Sequence, residues 1–194
     1  MSDPGAFADA VAALGRAFDE LGRPWMVIGG VAMIAHGIPR ATIDVDATVS
    51  GVGLNLDTLL STLGRHGIVS RIPDAGAFAR QHQVVLVEHS DSKVPVDISL
   101  ARLPFEDEAI GHRVTAEFAG TRLPLPRPED LLIYKLVAAR PRDLDDAERL
   151  PALHGRKMDL ARVSRVIRRF CDILEDASRV DHLHDLLARA GLRA

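Results

Sequence analysis

The sequence predicts an α/β fold of the α+β kind: a central mixed sheet flanked by helices, with a C-terminal helical part. Three observations predict it. Short β-branched and apolar runs, among them Trp25 to Ile28, Val84 to Glu88 and Val94 to Leu100, alternate with segments of helical periodicity. A stiff segment carrying Pro124, Pro126 and Pro128 marks a boundary, beyond which only helical periodicity remains. The 194 residues, 47% hydrophobic and 26% charged, have the composition of a globular chain that can bury a real core. A first domain over residues 1–126 is expected, with a helical part over 127–194 that closes one side of a cleft.

The elements follow in order. Phe7, Val11, Leu14, Phe18 and Leu21 fall on one helical stripe, which needs a sheet to pack on. Gly22-Arg23-Pro24 ends that helix and leads into a strand over Trp25 to Ile28, which exits at Gly29-Gly30. Val31 to His36 allows about two helical turns before Gly37 and Pro39. His36 either approaches a site or sits at the helix end, and the helix-end reading is the simpler one. The next strand carries Asp44 and Asp46 and is expected near the middle of the sheet. Leu56, Leu59, Leu60 and Leu63 mark an amphipathic helix closed by His66-Gly67. Ile68 to Ile72 reads as a short strand, and Pro73 to Ala79 as turn and loop.

Val84 to Glu88 and Val94 to Leu100 read as buried strands joined by a polar loop, with Asp97 near the centre of the second. Leu103-Pro104-Phe105-Glu106 opens a short helix through Ile110, and a β-hairpin turns at Ala119-Gly120. Past the prolines, Glu129 to Val137 begins with acids in its first turn, as a helix does. Pro141 should kink or restart it. Two further helical patterns run over Leu160 to Leu174 and Leu183 to Ala190.

Several function classes are excluded or left without support. No apolar run approaches the ~18–20 residues needed to cross a bilayer, and the N-terminus lacks a charged region followed by an apolar one. Neither a membrane nor DNA is expected as a partner, and the expected location is cytoplasmic. The single Cys171 cannot form an internal disulfide, and it alternates with core positions as a packing residue would. Net charge is −3, with 10 Lys and Arg against 15 Asp and Glu in residues 1–126, and 14 against 12 in residues 127–194. Arg162, Arg165 and Arg169 share a helical face that either meets RNA phosphates or a protein partner, or is simply solvated.

The chemistry concentrates in Val27 to Val49. Residues at i and i+2 of a strand share a face, so Asp44 and Asp46 would sit about 6.5–7 Å apart and aim the same way, a cradle for a divalent metal. Gly29 and Gly30 would let backbone N–H groups approach an anion at the start of a helix. A phosphate-binding turn beside paired carboxylates is what metal-assisted phosphoryl or nucleotidyl transfer requires. Asp97, flanked by Val96 and Ile98 in a strand that reads as buried, needs a cation, because an unpaired buried charge costs several kcal/mol. The plainer alternative is that Asp97 pairs with an arginine or caps a turn.

The run Ile28-Gly29-Gly30, thirteen intervening residues and then Asp44-Val45-Asp46-Ala47 resembles the signature of the DNA polymerase β-type nucleotidyltransferase superfamily. More narrowly, the sequence resembles the AbiEii-like bacterial nucleotidyltransferases, which include toxins of toxin–antitoxin modules. The resemblance covers most of the chain and is strongest over residues 27–49, 94–113 and 126–150.

It implies a nucleotidyltransferase fold whose first domain is catalytic, and a transfer of a nucleoside monophosphate from an NTP such as ATP to a hydroxyl of tRNA or protein. A small-molecule acceptor is implied less strongly. Asp44, Asp46 and Asp97 would bind Mg²⁺, or Mn²⁺ in its place, with Asp97 drawing the acceptor proton. Gly29 and Gly30 would cradle phosphates, and Arg40 and Thr42, in an Arg-x-Thr-x-Asp run common in that family, would touch them. The alternative for these two is a solvated loop arginine and a strand-starting threonine. The string KLVAARPRDLDDAERL resembles a segment of that family, which implies that Lys135 contacts the triphosphate and that Asp143 or Asp146 orients it or lines the acceptor side. The alternative there is a lysine snorkelling to water on a solvated face. A cognate antitoxin is the implied protein partner. A catalytically silent protein that keeps the fold to bind nucleotide or a partner is the competing reading. Retention of all three carboxylates, the glycines and the lysine argues against it.

Overall fold

The computed structural model describes residues 4–192. They divide into two compact units, one ending at Pro126 and one starting at Arg127.

In the first unit, α1 (Pro4–Glu20) buries the stripe Phe7, Val11, Leu14 and Phe18, with Ala10, Ala13 and Ala17 between them. Strand β1 (Trp25–Ile28) follows, then α2 (Gly29–Ala35) and β2 (Val45–Ser50). Helix α3 (Leu56–Arg65) is capped by Asn55, whose side chain accepts from the Thr58 N–H at 3.0 Å. Next come β3 (Ile68–Ser70), α4 (Ala75–His82), β4 (Val84–His89), β5 (Pro95–Ala101) and α5 (Pro104–Gly111). A hairpin of β6 (Val114–Phe118) and β7 (Thr121–Leu125) closes the unit.

The five-stranded sheet has the order β1-β2-β5-β4-β3. Only β2 and β5 are parallel; the other neighbours are antiparallel. The carboxylate strand β2 is thus second in the sheet, and β5 takes the central place. In-register residues share a face, and one face is apolar throughout: Val27 beside Ala47, Ala47 beside Ile98, Ile98 beside Val85, all fully buried. Helix α1 packs on the sheet, and the Phe18 ring lies 5.0 Å from that of Trp25. The opposite face carries Asp46, Thr48 and Ser50 on β2 and Asp97 and Ser99 on β5. That face is not polar throughout: Met26, opposite Thr48, is fully buried, and Ser50 Oγ donates to Asp107 of α5 at 3.1 Å.

Two local expectations are corrected. Residues 75–82 form a helix rather than a loop; Asp74 and Gln83 bracket it in left-handed conformations, and Ala75 and Ala79 are its buried positions. Two alanines are too faint a stripe to stand out in sequence. Asp44 lies just before β2 rather than in it, because Thr42 Oγ donates to both the Asp44 carbonyl at 3.2 Å and its carboxylate at 2.9 Å, bending the chain there.

The second unit is helical: α6 (Pro128–Ala138), α7 (Pro141–His154), a short 3₁₀ turn (Gly155–Lys157), α8 (Leu160–Leu174) and α9 (Ser178–Arg189). Helix α6 packs on the other three helices through Leu131, Leu132, Ile133 and Leu136. It ends at Ala139 in a left-handed conformation, and Pro141 restarts the chain as the first residue of α7. No helix among the described residues is long and apolar enough to cross a membrane.

Candidate active site

The site of the first unit is built where β1 hands over to α2. Gly29 opens that helix at φ +62°, in the left-handed region that favours glycine. A β carbon there would lie 2.6 Å from Cγ of Asp46. At Gly30 it would lie 2.6 Å from the Thr42 hydroxyl and 3.4 Å from the guanidinium carbon of Arg40. The two glycines therefore admit the side chains of Asp46, Thr42 and Arg40 close against the backbone. Helix α2 ends at His36, whose Nε2 lies 2.8 Å from the Pro126 carbonyl, a helix-end role.

Asp46 and Asp97 are in-register neighbours on the parallel pair β2 and β5, so their side chains leave the same face of the sheet about 4.8 Å apart at the backbone. Asp97 is less buried than its strand suggested, its side chain being 37% exposed. The cation it needs is present in the chain: the Arg71 guanidinium pairs with it. Burial pushes the Asp97 carboxyl above the ordinary carboxylate range, against the pull of Arg71, and the negative charge of Asp44 adds to the rise. Asp44 is therefore within electrostatic reach of Asp97.

The donor set of Asp44, Asp46 and Asp97 is all oxygen, which suits a hard cation such as Mg²⁺ or Mn²⁺, and Gly29 leaves the room that the Asp46 carboxylate needs. Among the described residues, however, no group of three or more His, Cys, Asp or Glu side chains is drawn together as a metal set. Asp97 pairs with Arg71, and Asp44 accepts from Thr42. The carboxylates fit the ion chemically while being engaged elsewhere.

In the second unit, Lys135 is 5% exposed, far from the solvated lysine of the competing reading. Its ammonium lies 3.0 Å from Asp143 and 2.9 Å from Asp146, both themselves buried. Arg140 pairs with the other oxygen of Asp143 at 2.5 Å. Burial alone would raise the Asp143 carboxyl, but hydrogen bonds and charge from Arg140 and Lys135 outweigh it and hold the group below its ordinary value. The cluster pins α6 to α7. Both aspartates, not one of them, hold the lysine.

A second internal pair joins α6 to α8: Arg162 pairs with the fully buried Asp130. Arg162 therefore leaves the arginine face on which it was placed from spacing, while Arg165 and Arg169 stay exposed. Arg71 and Asp130 are the functional or structural charges that sequence reasoning missed. Nothing local could have found Arg71, because its partner lies two strands away in the sheet.

The family model of the nucleotidyl transferase AbiEii toxin, type IV toxin–antitoxin system, matches residues 12–188. Among solved structures, that of the antibiotic-resistance factor ANT(2'')-Ia in solution is similar, with a TM-score of 0.52 and 18% identity over 97% of this chain and 94% of that one. An antigenic nucleotidyltransferase-like protein from Paracoccidioides brasiliensis is similar at a TM-score of 0.51 and 16% identity, covering 90% of each chain. At such identities the likeness speaks to the fold. No curated protein matches the chain. With glycines backed onto Asp46, Asp46 beside Asp97, and a family model matched over nearly the whole sequence, the chain belongs to the AbiEii nucleotidyl transferase toxin family.

Proposed function

We propose that this nucleotidyltransferase depends on a divalent metal, moves a nucleoside monophosphate from an NTP to a hydroxyl of tRNA or protein, and is the toxin of a toxin–antitoxin pair. The observation that carries the reading is the placement of Asp46 beside Asp97 on one face of the β2–β5 pair, against a glycine that leaves room for the carboxylate. The family match supports the toxin assignment.

Asp44, Asp46 and Asp97 would hold Mg²⁺ or Mn²⁺, which when bound neutralises charge on the phosphates and polarises the reacting phosphorus. Asp97 takes the proton of the acceptor hydroxyl. The acceptor oxygen bonds to the α-phosphorus as the bond to the leaving pyrophosphate breaks. Gly29 and Gly30 present backbone to the phosphates, with Arg40 and Thr42 alongside. Lys135 has three N–H donors; Asp143 and Asp146 take two and fix its direction, leaving the third for a phosphate oxygen. Asp146 thereby belongs to the nucleotide side as a positioning residue.

The test is a transfer assay with Mg²⁺, each α-³²P-labelled NTP in turn, total tRNA and cell lysate, with Asp44→Ala in parallel. Label on RNA or protein from the intact chain only is the expected result. Absence of both label and metal-dependent nucleotide binding would overturn the reading and leave a partner-binding scaffold.

A further inference from the structure

Arg71 is placed by the sheet and not by its own strand neighbours. Its N–H donates to the Leu86 carbonyl at 3.1 Å, carrying the β3–β4 pairing one residue past Ser70. Leu86 stands opposite Asp97 in the β4–β5 register. The Arg71 side chain therefore reaches across β4 to the Asp97 carboxylate, and it is 29% exposed, laid against the protein instead of extended into water. Its charge is permanent, because a guanidinium does not lose its proton in a protein.

We propose that Arg71 is a stand-in cation that competes with the divalent metal for Asp97 and releases it when nucleotide arrives. This rests on the metal-dependent reading above. Arg71 donates to one Asp97 carboxylate oxygen, and a guanidinium there repels a divalent ion on the other oxygen. An NTP changes the balance, since the planar fork of an arginine binds phosphate oxygens as well as it binds a carboxylate. Arg71 moves from Asp97 to a phosphate, Asp97 turns to the metal, and nucleotide and metal bind cooperatively. By linkage, each strengthens the other to the same degree.

The test is Mn²⁺ binding, followed by electron paramagnetic resonance, without nucleotide and with a non-hydrolysable NTP analogue. Arg71→Gln, Arg71→Lys and Asp46→Asn are compared with the parent, and thermal melts confirm that each is folded. Arg71→Gln is expected to bind Mn²⁺ about tenfold more tightly without nucleotide and to lose most of the coupling to the analogue, within the range usual for coupled sites. Arg71→Lys, which keeps the charge, should stay near the parent. Unchanged or weaker Mn²⁺ binding in Arg71→Gln, with binding still abolished in Asp46→Asn, would overturn the competition while leaving the metal site standing. No Mn²⁺ binding in any variant, with or without the analogue, would remove the metal site and this proposal together.

Discussion

Gly29 faces Asp46 so closely that a β carbon on the glycine would sit 2.6 Å from the Asp46 carboxyl carbon. The glycine also holds φ at +62°. Gly29→Ala is expected to cost about 1–2 kcal/mol of stability and to push the carboxylate aside, lowering transfer by about 10²-fold. A melt and a transfer assay on the same preparation check both. Full activity in Gly29→Ala would mean that Asp46 tolerates displacement and does not bind the reacting groups.

Asp46→Ala and Asp44→Ala should each lower labelled transfer by about 10³-fold, since each removes several kcal/mol of charge stabilisation. Thr42→Val should act through Asp44, because it removes the 2.9 Å hydrogen bond that bends the chain there. We expect it to lose about tenfold in transfer with about 1 kcal/mol of stability. Equal stability losses in all three variants, with transfer unchanged, would assign these residues to the fold alone.

Lys135→Met removes the cation that two buried carboxylates, Asp143 and Asp146, share, while Arg140 stays on the other oxygen of Asp143. A loss of about 3–5 kcal/mol is expected, read by urea denaturation. Adding Asp143→Asn to that variant should recover part of the loss by removing one of the two buried negative charges. If the single variant is as stable as the parent, the cluster does not join α6 to α7.

Asp143 ties stability to acid. Its carboxyl is held below the ordinary 3.8, so the folded chain binds this proton less readily than the unfolded chain does. The stabilisation is complete above the unfolded value and disappears as pH falls through the folded one. Urea stability should therefore be level near neutrality and fall below about pH 4, and Asp143→Asn should fall less steeply. An acid slope unchanged in Asp143→Asn would place the effect on other carboxylates.

Much of the candidate site was legible in the sequence. Gly29, Gly30, Asp44 and Asp46 lie within one short stretch, where turn chemistry and strand alternation act over a few residues. The strand over Trp25–Ile28 and the helix over Leu160–Leu174 were legible for the same reason: their periodicity is local. Helix α4 was not, since Ala75 and Ala79 carry little apolar signal. The bend at Asp44 was hidden as well, because it depends on which way the Thr42 hydroxyl turns. Lys135 was legible as an odd cation among apolar residues, yet its burial between two aspartates depends on how α6 and α7 dock.

By itself the sequence determined the order and kind of most elements and supplied the carboxylates and glycines that the proposed transfer would use. All of these follow from spacing along the chain, where side-chain period and backbone preference act between near neighbours. Only the tertiary structure decided that β5 lies between β2 and β4, which sets Asp97 beside Asp46 and brings Arg71 across to it. Strand order joins residues far apart in sequence and is chosen by burial of one apolar sheet face as a whole. No local pattern around Asp97 or Arg71 could therefore have announced that they meet.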